Sequence, residues 1–363
     1  MTNPHHYCVI MAGGVGSRFW PLSRQSRPKQ FLEISTTGKS FLRLAYDRVS
    51  GIIPPENILV VSQTRYRSRV LCAIPELEER NLLLEPYNRN TAPCIAYSSY
   101  TILKRDPDAV VLVLPADQVI RDADLFRSTA LDALAYASAH PVMITLGVMP
   151  RRPDPNFGYI QIERPGGDGG PVRVKTFTEK PSRELAEVFI ESGEFLWNTG
   201  IFIWRAAVAA AQLERYAPEI TVMWKDWRSM IGSPSESGWL EKIYPDMPRM
   251  AIDYAVMEKS DAVMAYPARF TWSDLGNWDS LYEYLAALGT DGNAIRISGK
   301  GLLRENSGTL VVSTRKDKLI AVKGLKDFIV LDIDDVLMIC PRDEKSLKDL
   351  FSELALPEYE NYR

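Results

Sequence analysis

The chain has 363 residues, 46% of them hydrophobic, enough for a large α/β domain and a smaller companion. Its 43 basic and 46 acidic residues leave a net charge of −3, which excludes general attraction to nucleic acid or anionic lipid, so any anion must be bound locally. Three histidines (His5, His6, His140) and four cysteines without CxxC spacing (Cys8, Cys72, Cys94, Cys340) argue against a Ser-His-Asp hydrolase, a zinc site and a disulfide framework, and predict buried thiols in a reducing compartment.

The first strand begins within eight residues, without a basic-then-apolar leader, and no apolar run approaches the length of a membrane span, so a cytoplasmic protein is expected. Apolar runs then alternate with helical stretches: strand 7–11, helix 41–50, strand 58–62, helix 65–74, strand 82–84, helix 91–105, strand 110–114, helix 124–139, strand 142–148. This punctuation predicts a mixed, mostly parallel sheet with flanking helices, binding its ligands at the C-terminal strand ends. From Asn156 to Arg205 three further strands, YIQIER, VRVKTFTEK and TGIFIW, are expected to be antiparallel, with a turn at Pro165–Pro171. Residues 206–260 read as helical, with Trp224, Trp227 and Trp239 spaced for packing. Past residue 290, short β runs precede a helix at 343–355; no strict hexapeptide repeat supports a long solenoid, so a small β tail is expected. The predicted domains are 1–289 and 290–363.

The segment Val9–Phe31, VIMAGGVGSRFWPLSRQSRPKQF, runs a strand into a glycine-rich turn. Ala12, Gly13, Gly14, Gly16 and Ser17 can wrap main-chain N–H groups around an anion, while Arg18 and Lys29 bring two permanent charges. It is neither a Walker loop, lacking Lys-Ser or Lys-Thr, nor a GxGxxG dinucleotide turn, because Phe19 stands at the last position.

Asp117, in LPADQ, ends a β-branched run, and Asp274 lies in WSDLGNW. Asp117 alone could be a helix cap; beside a triphosphate loop it is a candidate Mg²⁺ ligand, with Asp274 the natural second one. Glu179 and Lys180 close the run FTEKP, where a solvated pair is the bland reading. NFGYI, with Gly158 and Tyr159, and WNTG, with Asn198, are candidate ligand-closing segments, and Asp253 could join them or cap a helix. In EPYNRNTAP, Asn90 or Thr91 is a plausible N-cap.

These ordered motifs together resemble the sugar-nucleotide pyrophosphorylases, and most closely the bacterial mannose-1-phosphate guanylyltransferases, along essentially the whole chain. The resemblance implies a Rossmann-like, GT-A-like nucleotidyltransferase domain followed by a short left-handed β-helix-like domain making homodimer contacts. It implies that the phosphate of mannose 1-phosphate attacks GTP in line, giving GDP-mannose and pyrophosphate with Mg²⁺ on Asp117 and Asp274. By the same resemblance Lys180 holds the sugar phosphate; Glu179, Asn198, Gly158, Tyr159 and Asp253 meet the sugar; and Glu85, Arg89, Asn90, Thr91 and Ala92 position the nucleotide. The family's LPSDH-like motif reads LPADQ here, which leaves the role of its histidine open. The chain is too short, and too poor in histidine, for an added isomerase domain. Other readings are the same transfer with another hexose 1-phosphate or nucleotide, and a non-catalytic sugar-nucleotide sensor.

Overall fold

A computed structural model describes residues 2–14, 16–34, 38–163, 170–289, 292–354 and 356–362. The chain falls into two compact units, Met1–Gly13 with Leu42–Trp272, and Gly14–Phe41 with Ser273–Arg363. Most of the glycine loop, with Arg18 and Lys29, therefore groups with the C-terminal residues rather than with the strand that leads into it.

The strands of the first unit are β1 (His6–Ala12), β2 (Ile58–Gln63), β3 (Leu82–Glu85), β4 (Val110–Pro115), the two-residue β5 (Val119–Ile120), β6 (Met143–Val148), β7 (Gly158–Ile162), β8 (Val172–Glu179), β9 (Phe195–Arg205) and β10 (Val263–Ala268). All but β5 form one sheet in the order β3-β2-β1-β4-β9-β6-β10-β8-β7, with β9 also pairing β7. Only β8 and β9 run against the rest, so the sheet is mixed and mostly parallel, as predicted. Central strands such as β2 are buried along their whole length, which the continuous run ILVV anticipates for a sheet covered on both faces.

The flanking helices Phe41–Ser50, Thr91–Arg105 and Ala123–Ala139 fall where their periodicity predicts; the segment read as one helix from residue 65 starts as a 3₁₀ turn, Thr64–Tyr66, before Arg67–Ala73. Trp224 and Trp239 are buried and pack edge to face at 5.4 Å, and Trp227 stacks on Tyr100 at 5.0 Å, so these indoles fill the helical layer. Cys8, Cys94 and Cys340 are buried, but Cys72 is exposed, because the short helix carrying it buries only Val70. The predicted turn Pro165–Pro171 lies mostly outside the described residues.

Strand β11 (Trp272–Ser273) spans the junction of the units. The second unit continues with β12 (Ala294–Ile297), β13 (Lys300–Arg304), β14 (Leu310–Ser313), β15 (Leu319–Lys323), β16 (Phe328–Ile333), β17 (Val336–Pro341) and the helix Glu344–Glu353. β12, β14 and β16 stack in parallel, closed by antiparallel β17, while β13 pairs with β15 in a second wall. Register pairs Ala294 with Leu310 and Leu310 with Ile329, so the coils are short and irregular in length, which hid them from a hexapeptide search. Val311, Ile320 and Val330 fill the core between the walls. Asn306 donates to Val322 O at 3.0 Å and accepts from Leu325 N at 2.9 Å, tying one coil to the next. Among the described residues, no helix is long and apolar enough to cross a membrane.

Candidate active site

In the first unit, β1 and β2 end side by side, and Ser62 Oγ donates to Ala12 O at 2.8 Å. Gly13 O accepts from Gln63 Nε2 at 2.5 Å and from Asn88 Nδ2 at 3.1 Å, which anchors the strand end where the glycine loop departs. Buried Glu85 ends β3 beside it and accepts from Tyr244 Oη at 3.0 Å. Burial pushes the Glu85 carboxyl up to about 8, against the pull of the Tyr244 hydroxyl, so it is mainly protonated at neutral pH.

The rest of that motif is engaged with residues 244–252. Arg89 donates from Nε to Tyr244 O at 2.8 Å and from Nη2 to Pro245 O at 2.5 Å. Asn90, at φ 70°, is the N-cap and accepts from Thr91 N. Thr91 Oγ1 accepts from Ile252 N at 2.8 Å, and Ala92 N donates to Met250 O at 3.0 Å. Nothing in the sequence around Tyr244 marked it as a partner of this loop.

The sugar-side candidates cluster on β7, β8 and β9. Asn198 sits at the centre: its Nδ2 donates to Asp253 Oδ1 at 2.9 Å, and its Oδ1 accepts from Thr145 Oγ1 at 2.9 Å and Gly200 N at 3.1 Å. Gly158 pairs with Glu179 in register, and a Cβ there would lie 2.4 Å from Glu179 Oε2 and 3.2 Å from Asn198 Cβ, so any larger residue would displace the Glu179 carboxylate. Glu179 is ion-paired with Lys180; burial works against the Lys180 charge, yet the carboxylate holds its ammonium above the ordinary lysine value. Desolvation and then the Glu179 charge push Asp253 up to about 7. Tyr159 is wholly buried, its hydroxyl accepting from Asp154 N at 3.0 Å, so its side chain shapes the strand from within.

Asp117 follows the end of β4, where Ala116 N donates to Met11 O at 2.9 Å. Gln118, in the place of the family histidine, is buried with both amide atoms used: Nε2 donates to Thr199 O at 2.5 Å, and Oε1 accepts from Trp272 Nε1 at 3.0 Å.

In the second unit, Gly16 at φ 71° turns the chain so closely over Lys29 that a Cβ would lie 2.5 Å from Lys29 Cβ. Ser23 Oγ locks the turn by donating to Gly16 O at 2.5 Å. Lys29 is buried, its ammonium 5.6 Å from the ring centres of Phe19 and Phe41, and it donates to Asp274 O at 2.5 Å. Arg18 is exposed on the turn Ser17–Phe19, and the Ser17 side chain lies outside what is described. Asp274 Oδ1 accepts from Gly276 N at 2.9 Å, and a Cβ on Gly276 would come within 2.1 Å of Asp274 Oδ2. The absence of a side chain at Gly276 leaves room for that carboxylate. No group of three or more His, Cys, Asp or Glu side chains poised for a metal occurs among the described residues.

Residues 7–290 match the family described as nucleotidyl transferase, and residues 305–354 match the MannoseP isomerase/GMP-like β-helix domain. The chain belongs to the nucleotidyl transferase family, enzymes that typically use a divalent cation, and groups within it with the mannose-1-phosphate guanylyltransferases. It is 33% identical to the mannose-1-phosphate guanylyltransferase of Escherichia coli (strain K12), over 94% of this chain and 72% of that one. A solved structure described as a mannose-1-phosphate geranyltransferase from Thermus thermophilus superposes with a TM-score of 0.84 at 30% identity, covering 97% of this chain and 100% of that one. One described as a mannose-6-phosphate isomerase from Helicobacter pylori gives 0.61 at 26% identity, covering 74% and 99%.

Proposed function

We propose that this enzyme transfers GMP from GTP to α-D-mannose 1-phosphate, giving GDP-mannose and pyrophosphate. The observation that carries the reading is the likeness to a mannose-1-phosphate guanylyltransferase over 94% of the chain, joined to the convergence of Gly158, Glu179, Asn198 and Asp253 around one polar site. A polyhydroxyl ligand needs groups that both donate and accept, and an Asn amide beside a carboxyl that titrates near neutrality provides them.

A phosphate monoester is already an anionic nucleophile, so no protein nucleophile is required; the barrier lies in bringing two polyanions together and in the charge of the departing pyrophosphate. In the first unit Lys180 neutralises the attacking phosphate, Glu179 and Asn198 orient the sugar, and protonated Glu85 avoids repelling the triphosphate. Arg89, Asn90, Thr91 and Ala92 hold the nucleotide loop in shape, and the amides of Ala12 and Gly13 face the phosphates. In the second unit Gly14, Gly16 and Ser17 offer main-chain N–H groups to phosphate, while Arg18 and Lys29 stabilise the leaving group. Mg²⁺, held by Asp117 and Asp274, would supply charge neutralisation and Lewis acidity at the phosphates. Both substrates are phosphorylated and do not cross membranes unaided, which favours a cytoplasmic reaction; the C-terminal β domain supports a homodimer. The catalytic domain spans 1–289 and the β-helix domain 290–363.

The histidines give no support to isomerase chemistry: His5 pairs with Asp106, His6 is buried, and His140 stacks on Tyr136. The test is pyrophosphate release by the purified protein given Mg²⁺, GTP and mannose 1-phosphate. Release that needs all three supports the reading, and none under any combination overturns it.

A further inference from the structure

We propose that Gln118 is the positioning residue that holds the sugar-phosphate half of the site, using one amide to clamp two separate arms of it. The identity of that half rests on the function proposed above. One arm is β9: Gln118 Nε2 donates to Thr199 O, the carbonyl next to Asn198, in a turn that Gly200 makes at φ 70° and that Thr199 Oγ1 pins to Leu146 O at 2.7 Å. The other arm runs through Trp272. Its indole donates to Gln118 Oε1, its ring lies 5.3 Å from Phe157, and Phe157 O accepts from Lys180 N at 3.2 Å. Gly158 follows Phe157 directly. Arg48 Nη2 holds the main chain of Gln118 itself at 3.2 Å.

The clamp is more than the satisfaction of a buried indole. Bridging both arms requires a side chain that donates and accepts at once over this span, which a glutamine amide does in either protonation environment. Losing it leaves Thr199 O and Trp272 Nε1 without partners and frees Asn198 and Lys180 to drift, and small misplacements at a reacting centre are costly.

Three variants of the full chain separate the possibilities. Gln118→Met keeps the length and removes both bonds, Gln118→Glu keeps only the accepting half, and Gln118→His can restore donor and acceptor together. The expected result is a rise of about tenfold or more in KM for mannose 1-phosphate in Gln118→Met, with KM for GTP within about twofold, alongside a modest fall in the thermal midpoint from the two groups left unpaired. Gln118→Glu should resemble Gln118→Met, and Gln118→His should recover part of the loss. An unchanged KM for mannose 1-phosphate in Gln118→Met, or an equal rise in both KM values with a lowered thermal midpoint, overturns the positioning role. A wild type that turns over a different sugar 1-phosphate would correct the function and leave the same split to be read on that sugar.

Discussion

Lys29 Nζ donates to the main-chain oxygen of Asp274 at 2.5 Å, so a cation from the glycine-loop segment shapes the turn that presents a candidate metal-binding carboxylate. The same ammonium lies 5.6 Å from the ring centres of Phe19 and Phe41, so its charge is engaged structurally as well as being proposed for catalysis. Lys29→Met keeps most of the stem and removes the charge. It should fold, lose roughly 1 kcal/mol of stability with the lost bond, and lose turnover by about a hundredfold, or ~3 kcal/mol of barrier. Near-normal steady-state turnover would remove Lys29 from the catalytic role.

Asp117→Asn and Asp274→Asn preserve shape and remove a charge. Each is expected to lower turnover by about a hundredfold or more and to raise the Mg²⁺ concentration needed for half-maximal rate. A metal titration of activity reads both effects, and an unshifted midpoint in either variant would take that carboxylate out of the metal site.

Gly158→Ala places a methyl group where only 2.4 Å separates it from Glu179 Oε2. The carboxylate must swing away, unsettling its pair with Lys180. Overpacking of this kind costs about 1–3 kcal/mol, and here it should emerge as a KM for mannose 1-phosphate raised about tenfold with the GTP KM little altered. Equal effects on both substrates would argue against a sugar-side location.

Glu85 gives a pH signature. Its carboxyl titrates near 8 in the folded protein because of burial, against 4.5 for an unburied glutamate. A folded value raised above the unfolded one means that the protonated group's contribution is complete below pH 4.5 and is lost as pH rises toward 8. Glu85→Gln keeps an acceptor for Tyr244 and removes the titration. The variant should therefore gain on the wild type as pH rises through that window, by up to about 1.4 kcal/mol per pH unit, and the two should converge in acid. Thermal midpoints across the range check this, and parallel curves would contradict it.

The sheet and its helices were legible because runs such as ILVV and VVLVL, and the period of Thr91–Arg105, carry their own signals. Gly158, Glu179 and Asn198 could be singled out because each lies in a short motif on a strand, and the structure brings them together with Asp253. Contacts distant in sequence were not legible: Tyr244 reaches Glu85 across 159 residues, and Gln118 reaches Trp272 across 154, with nothing local to announce either. The grouping of Gly14–Phe41 with the C-terminal residues was hidden for the same reason, since it depends on partners such as Asp335 for Arg24 and Asp274 for Lys29. The coils differ in length, so their periodicity alone showed only a β tail, while the β-helix-like domain implied by the resemblance is borne out.

Guanylyl transfer to mannose 1-phosphate is tested by offering the purified protein Mg²⁺, mannose 1-phosphate and an equimolar mixture of GTP, ATP, UTP, CTP and dTTP, with the sugar nucleotides identified by mass. A product that is overwhelmingly GDP-mannose, formed with an equal amount of pyrophosphate, is the predicted result. A different dominant sugar nucleotide, or binding of GDP-mannose without any turnover, would contradict it.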